Sequence, residues 1–476
     1  MSMTSSVVAL LPELVLLLGA VGCLLMGSWT PRLRQGRVRA VAALVVLGFL
    51  AATVRGLAVP STTAFSGTFA VDEVTGLLRV VVGLAVLVLL VLAGDEIAGH
   101  PRESEVYVLL LLGADGVLLV GGTTDLAVLV VGFLLASIPL YGLIGLSTSA
   151  TAPEAALKTY LVGALSGIVL MLGASTLFGL AGSTAYADLD VGVSHAPAAA
   201  GAAGVVLVLV GLLFKAGAVP AHFWVPDAVQ GSWVTGAAFL TTVPKLGAVV
   251  AIMRLLEALP RQDVWPVLVA VLAAVSMSVG NLAALTQDDV RRLLGWSTIS
   301  QVGYLLAVVA AVPTVDRARP TLLLFLAGYA VTNLACFAVL RAEPGRVRIE
   351  QWRGVARRRP GLTAALGVSL LGLVGTPPTA VFVAKVLTIA VTWEAGLAWL
   401  AVLVAANTVL SLAYYLRWLA TCLSAPDPDD VEAADDKDDG GETPRSGRVP
   451  TALALGCAGG AVALGLVAGP VLALAG

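Results

Sequence analysis

The sequence is poor in charge, in histidine and in cysteine. Only 12% of its 476 residues are Asp, Glu, Lys or Arg, about half the share of an ordinary soluble domain. That leaves too little polar surface to cover a water-soluble fold of this length. With three histidines, four cysteines and no CxxC, GxGxxG or P-loop pattern, the chain carries no iron–sulfur cluster, haem attachment or nucleotide fingerprint. Cys23, Cys336, Cys422 and Cys457 lie in or beside apolar runs and read as small hydrophobes. What is abundant is hydrocarbon: 58% hydrophobic residues and a mean hydropathy of +0.96. These figures describe an integral membrane protein.

A bilayer core of about 30 Å needs roughly 20 apolar residues per helix. Fourteen runs meet that test: 6–28, 38–57, 74–93, 105–122, 124–146, 155–180, 200–222, 233–257, 264–286, 293–312, 320–341, 361–390, 393–423 and 450–475. Their length and lack of period-2 alternation predict helices, hence an all-α polytopic fold. The first run has no basic residue before it and four arginines (Arg32, Arg34, Arg37, Arg39) after it. That is the reverse of a cleaved signal, so it is expected to be a retained span. With the N-terminus outside, 18 loop lysines and arginines fall on the inner side and 5 (Arg55, Arg254, Arg261, Arg317, Arg319) on the outer side. This bias puts both termini outside. Residues 425–448 hold nine acids and three bases and read as a solvated inner loop.

Five basic residues remain inside runs: Arg79, Lys215, Lys245, Lys385 and Arg417. A charge at the bilayer centre costs from about 3 to more than 10 kcal/mol, so it has a partner or a task. Arg417 is placed to snorkel, and Arg79 is expected to do the same or to pair with Asp72 or Glu73. The lysines differ. The chain has 23 arginines and 5 lysines, yet three of the five lie in spans 7, 8 and 12. Arginine keeps its proton in a protein, whereas buried lysine gives it up readily, so a proton carrier requires lysine. The competing reading is a lysine paired permanently with a buried acid.

Glycine and proline stand beside two of these lysines, in Lys215-Ala216-Gly217-Ala218-Val219-Pro220 and in Gly375-Thr376-Pro377-Pro378 ahead of Lys385. They predict broken helices at spans 7 and 12. A broken helix with an ionisable residue, once in each half of a chain, points to a transporter built from repeats. Spans 4–8 and 9–13 form the two five-helix units, and an odd number of spans inverts the second. The expected segments are 1–100, 105–257, 264–423, an acidic inner loop 424–449, and a last helix 450–476. Glu154 and Lys158 are four apart and share a helix face, either as a surface pair or as part of a pathway. Asp115 has no local basic partner, and reads as a functional acid or as a neutral acid hydrogen-bonded to a neighbouring helix. His222 and Asp227, at the inner end of span 7, read as a water-accessible inlet or as an interfacial cap.

The stretch Phe214-Lys215-Ala216-Gly217-Ala218-Val219-Pro220-Ala221-His222-Phe223-Trp224-Val225-Pro226-Asp227 resembles the span-7 signature of the antiporter-like subunits of respiratory complex I. Val243-Pro244-Lys245, Gly280-Asn281-Leu282, the run from Arg291 to Tyr304, Tyr329 with Thr332-Asn333, and Gly375-Thr376-Pro377-Pro378 with Lys385 extend the resemblance. Ser137-Ile138-Pro139-Leu140-Tyr141 and Glu154-Ala155-Ala156-Leu157-Lys158 are similar to subunit N within that family. The resemblance covers about residues 75–420. It implies a proton-translocating membrane-arm subunit of an NADH:quinone oxidoreductase, in which Lys215, Lys245 and Lys385 relay protons along a buried axis. Glu154, Lys158 and His222 match further family positions. It also implies other membrane-arm subunits, lipid and protons as partners, with no nucleic acid. FMN, iron–sulfur clusters and quinone would belong to partner subunits, and the location is a bacterial cell membrane.

One departure stands out. The family has a buried glutamate in span 5 where this chain has Leu134. Asp115, on the preceding antiparallel span, is expected to supply that carboxylate to Lys215. Two other functions remain open at this point. One is a subunit of a multisubunit cation/proton antiporter. The other is a transport-impaired structural paralogue, the reading that Leu134 keeps alive.

Overall fold

The computed structural model describes residues 3–58, 60–260, 264–425 and 447–474. Among the described residues thirteen helices are long and apolar enough to cross a bilayer, and they coincide with thirteen of the fourteen expected runs. Spans 1 to 6 are Leu11–Trp29, Gly36–Leu57, Glu73–Glu96, Glu103–Gly122, Leu126–Gly145 and Ala152–Ala181. Spans 7 to 11 are Ala198–Ala216, Val234–Ala258, Val264–Leu285, Val290–Ala311 and Ala318–Ala342. Spans 13 and 14 are Ala398–Leu423 and Arg448–Leu466. The expected span 12 is instead two half-helices, 12a (Pro360–Val374) and 12b (Ala380–Glu394), each 15 residues long. The fold is all-α and polytopic apart from a ribbon of Thr62–Ala64 against Phe69–Val71, in the loop between spans 2 and 3. Most of the acidic loop lies outside the described residues.

The core sits where three spans lose contact with lipid. Span 8 is buried over its whole apolar window, span 10 over 94% and span 11 over 89%, while spans 1, 2 and 14 bury only 28%, 22% and 28%. A helix enclosed on every side cannot rely on snorkelling, so any charge on spans 8, 10 and 11 has to be met inside the protein.

Each five-span unit opens with a tight helical hairpin, and glycine sets the spacing. A Cβ on Gly116 of span 4 would meet the Ala136 backbone nitrogen of span 5 at 2.3 Å. In the second unit, Gly280 of span 9 and Gly303 of span 10 meet the Ser300 and Met277 backbone nitrogens at 2.5 Å each. Small residues let backbones approach this closely, which is how membrane helices associate without a hydrophobic driving force.

Both units also break a helix by the same device. Span 7 ends at Gly217 (φ +75°) and span 12a at Gly375 (φ +92°), both left-handed. The amide after each glycine turns back to a carbonyl five residues earlier, Ala218 to Leu213 at 2.9 Å and Thr376 to Leu371 at 3.0 Å. This is the Schellman closure, followed in each case by the proline that stops the helix. The short helix Trp224–Gly231 resumes after the first break.

Two expectations about arginine are corrected. Arg79 does not pair with Asp72 or Glu73. Its Nε and Nη2 donate to both carboxylate oxygens of Glu13, each at 2.7 Å, and Nη2 also reaches the Ala9 carbonyl at 3.1 Å. Arg254, assigned to an outer loop by its position near a helix end, lies inside span 8 and is 8% exposed. It donates to Asp72 Oδ2 and Oδ1 at 2.9 and 2.8 Å, and to the Gly121 carbonyl at 2.8 Å. Asp72 is therefore engaged by span 8, leaving Arg79 for the acid on span 1.

The close hairpin yields a direct test. Gly116→Ala should force spans 4 and 5 apart and destabilise the protein by about 1–3 kcal/mol. Gly22→Ala, where nothing lies within 4 Å of the new methyl, should not. Thermal unfolding of both variants in detergent checks the contrast.

Candidate functional site

The three span lysines are all buried, with Lys215 1% exposed, Lys245 0% and Lys385 3%. Each is met differently. Lys215, in the last turn of span 7, donates to Ser137 Oγ at 2.5 Å. Its ammonium also lies over the Phe133 ring, 4.8 Å from the centroid. Lys385 reaches back across the second break and donates to the Leu373 and Val374 carbonyls at 3.0 Å each. Those are carbonyls freed at the C-terminal end of 12a, where the helix dipole favours a cation. The Tyr304 ring faces the same ammonium at 3.9 Å.

Lys245 lies between them and has no hydrogen-bond partner at Nζ. Its nearest features are the Trp224 ring at 4.7 Å and the backbone of Gly217, where a Cβ would come within 3.3 Å of Nζ. Trp224 is held for this role because its indole N–H donates to the Phe214 carbonyl at 3.2 Å. Lys215 and Lys245 lie within electrostatic range of one another.

From Lys245 a row of neutral polar side chains runs to Lys385. Thr241 is one turn away on span 8. Its hydroxyl accepts from Asn333 Nδ2 at 2.9 Å, and its carbonyl accepts from the Tyr329 hydroxyl at 2.6 Å. The Tyr329 hydroxyl also lies 3.3 Å from Thr298 Oγ1. Gln301 follows Thr298 at i+3 on span 10, and its Nε2 donates to the Leu373 carbonyl at 2.8 Å, the same oxygen that Lys385 uses. Thr241, Thr298, Gln301, Tyr329 and Asn333 are each at most 1% exposed. None of the five was singled out individually as a site residue from the sequence. The available signal was polar pairs at helical spacing inside apolar spans: Thr241 with Lys245, Thr298 with Gln301, Tyr329 with Asn333.

The remaining candidates fall elsewhere. Glu154 and Lys158 form an i,i+4 pair at 2.6 Å with side chains 68% and 50% exposed. Lys158 also reaches Asp227 Oδ2 at 3.1 Å, and Asp227 Oδ1 accepts from Arg292 at 2.5 Å. This network ties span 6, the short helix and span 10 together at a surface, apart from the buried lysines. His222 lies in the span 7 break, 5% exposed, stacked on Phe223 and Trp296 at 4.3 and 5.7 Å. Its Nδ1 has no partner. Among the described residues no group of three or more His, Cys, Asp or Glu is placed to hold a metal ion.

The expected Asp115–Lys215 pair is not present. Span 4 meets span 5 at Leu135 and Ala136, beside Gly116. Lys215 meets the same span at Phe133 and Ser137. Asp115 is 2% exposed, its Oδ1 has no partner, and the charge within its electrostatic range is Glu13. Leu134 is 41% exposed, so it does not line the Lys215 cage. A serine hydroxyl and a ring face occupy that cage.

Two broken helices, each with a buried lysine, joined by a polar row through the most enclosed spans, define an antiporter-like membrane subunit. The family model described as NADH:quinone oxidoreductase/Mrp antiporter, TM, matches residues 123–411. The chain is 50% identical over 461 residues to NADH-quinone oxidoreductase subunit N of Mycobacterium sp. (strain JLS), covering 96% of each. It is 49% identical over 474 residues to NADH-quinone oxidoreductase subunit N 1 of Streptomyces griseus subsp. griseus, covering 99% of this chain and 98% of the relative. Among solved structures it is similar to a chain of respiratory complex I from Thermus thermophilus. That match has a TM-score of 0.81 and 31% identity, covering 98% and 99% of the two chains. A chain of the Mrp complex from Dietzia sp. DQ12-45-1b matches at TM-score 0.85 and 23% identity, covering 100% and 96%, a likeness of fold alone. The chain belongs to the NADH-quinone oxidoreductase subunit N family.

The surface network carries a pH dependence. Burial alone would push the Asp227 carboxyl up, but Arg292 and Lys158 outweigh it and hold the group below the usual carboxylate range. A lowered carboxyl stabilises the fold above its ordinary value, about pH 4, and loses that contribution as pH falls through the lowered value. Asp227→Asn should therefore unfold at a lower temperature than the unsubstituted protein at neutral pH. The gap should close in acid, as followed by thermal melts across pH.

Proposed function

We propose that this subunit moves protons across the membrane arm of an NADH:quinone oxidoreductase through Lys215, Lys245 and Lys385. The observation that carries the reading is the row of buried polar side chains between Lys245 and Lys385, running through the most enclosed spans. A proton arriving at Lys245 finds no fixed acceptor for its ammonium, while Lys215 and Lys385 each have one. The ammonium is thus anchored at Lys215 and Lys385 and loosely held at Lys245, where the row toward Lys385 begins. The Thr241, Tyr329 and Thr298 hydroxyls and the Asn333 and Gln301 amides supply hydrogen-bonding groups between them. No redox group is needed on this chain, because electron transfer on partner subunits would act through the charge state of the row. His222 sits at the break beside Lys215 and is placed to pass protons from the inner side.

In this reading both termini face outward in a bacterial cell membrane. The three N-terminal spans within 1–100 precede the transport units 105–257 and 264–423 and are tied to them through Asp72 with Arg254 and Asp95 with Arg341. Glu154 and Lys158 position the inner surface rather than carry protons. The Mrp-type antiporter shares the fold, but the near-complete coverage at 50% identity supports the complex I assignment.

Each of Lys215→Met, Lys245→Met and Lys385→Met, in the assembled complex in vesicles, should lower proton translocation at least about tenfold, the lower range for loss of a proton-transfer group. A pumping rate equal to the unsubstituted complex would remove that lysine from the route. The assembly itself is checked by purification from the native membrane. Co-purification with flavin and iron–sulfur subunits is expected, and recovery with small antiporter subunits would overturn it.

A further inference from the structure

The lysine row leaves one buried group of ionisable side chains unused. Glu13 of span 1 is 4% exposed, Arg79 of span 3 is 2% and Asp115 of span 4 is 2%. Arg79 engages Glu13 with two hydrogen bonds at 2.7 Å each, and Asp115 lies within electrostatic range of Glu13 with Oδ1 unpartnered. The one guanidinium is taken up by Glu13, and Asp115 has no cation of its own. The elements packed around Asp115 offer no second cation. The ionisable side chain of span 5 is Tyr141, which stacks on Tyr160 at 5.7 Å. On span 8, Lys245 is turned to Trp224 and Arg254 is held by Asp72. Arg39 of span 2 lies against Gly94, at the inner end of span 3.

The group is not sealed. Arg79 lines a cavity of about 370 Å³ bounded by Thr53, Leu57, Asp72 and Gly76, at the ends of spans 2 and 3 that share a face with the N-terminus. A cavity of this size with polar walls holds several waters. Water in it would reach the Glu13–Arg79 pair, and the pair leads to Asp115.

We propose that Glu13, Arg79 and Asp115 form a second protonatable site, separate from the lysine row, which holds one proton on Asp115 and exchanges it with water on the N-terminal face through this cavity. The charge count requires the proton. The Glu13–Arg79 pair is neutral as it stands, and an ionised Asp115 with no partner in hydrocarbon would be a bare charge, which proteins avoid by neutralising the group. The face named here rests on the orientation given under Proposed function, but the existence of the site does not.

Infrared difference spectroscopy of the complex in vesicles tests the site without reference to pumping. The spectrum of the unsubstituted complex minus that of Asp115→Asn should show one protonated-carboxyl C=O band. That band should shift on exposure of the N-terminal face to D₂O, and should move in frequency in Glu13→Gln. Asp115→Asn should also assemble at the unsubstituted level, because an amide replaces a neutral acid. Absence of a carboxyl band in that difference would overturn the proposal, as would a band indifferent to Glu13→Gln or to D₂O on that face. Should Asp115→Asn fail to assemble, Asp115→Glu serves instead, with the band expected to persist at a new frequency and its disappearance counting against the site. In Lys215→Met the band should remain. Loss of pumping with the band intact therefore separates this site from the lysine row.

Discussion

An ammonium buried in hydrocarbon has to be met by the protein, and most of this structure answers that requirement. Lys215 is met by a hydroxyl and a ring face, Lys385 by two carbonyls and a ring face, and Lys245 by a ring face and a bare stretch of backbone. The carbonyls exist only because the helix is broken, and the breaks exist because glycine closes the turn and proline forbids its continuation. The most enclosed helix carries the least satisfied lysine. That combination is costly for stability, and it is the one that the proposed proton transfer would use.

The two units solve the problem with opposite handling of a shared part. In the first, the lysine belongs to the helix that ends at the break. In the second, it belongs to the helix that begins after it and reaches back. The glycine-spaced hairpins that open each unit hold these breaks at fixed distances from their neighbours. Outside the units, spans 1 and 2 present mostly lipid-facing surface, yet span 1 buries with span 3 an ion pair between Glu13 and Arg79 that needs both partners. Removing either alone leaves a charge in hydrocarbon.

Much of this was legible in the sequence because lipid imposes a coarse rule. Runs of apolar residues mark spans, glycine with proline marks breaks, and lysine among arginines marks the buried cations. What was not legible has physical reasons. Thr241, Thr298 and Gln301 carry no charge, and a helix tolerates such residues without any consequence visible in composition. Glu13 lies so near the start of span 1 that its position gives no sign of a partner on span 3. Arg254 reads as an outer loop residue for the same reason, and only the fold shows Asp72 waiting for it. The pairing of Asp115 with Lys215 failed because adjacency in sequence and similar depth do not fix the face of a helix. Span 5 meets the two residues along different sides.

The row between Lys245 and Lys385 is built from hydroxyls and amides rather than charges. An isosteric change such as threonine to valine there removes a hydrogen bond but creates no uncompensated charge. Such a chain would insert, fold and join its partners as before, and cellular quality control, which recognises exposed or misassembled protein, would have nothing to detect. Lesions in the row would accumulate as fully expressed, correctly placed and silent subunits. On the function proposed above, their cost would fall on the energy yield of the cell and not on the abundance of the protein.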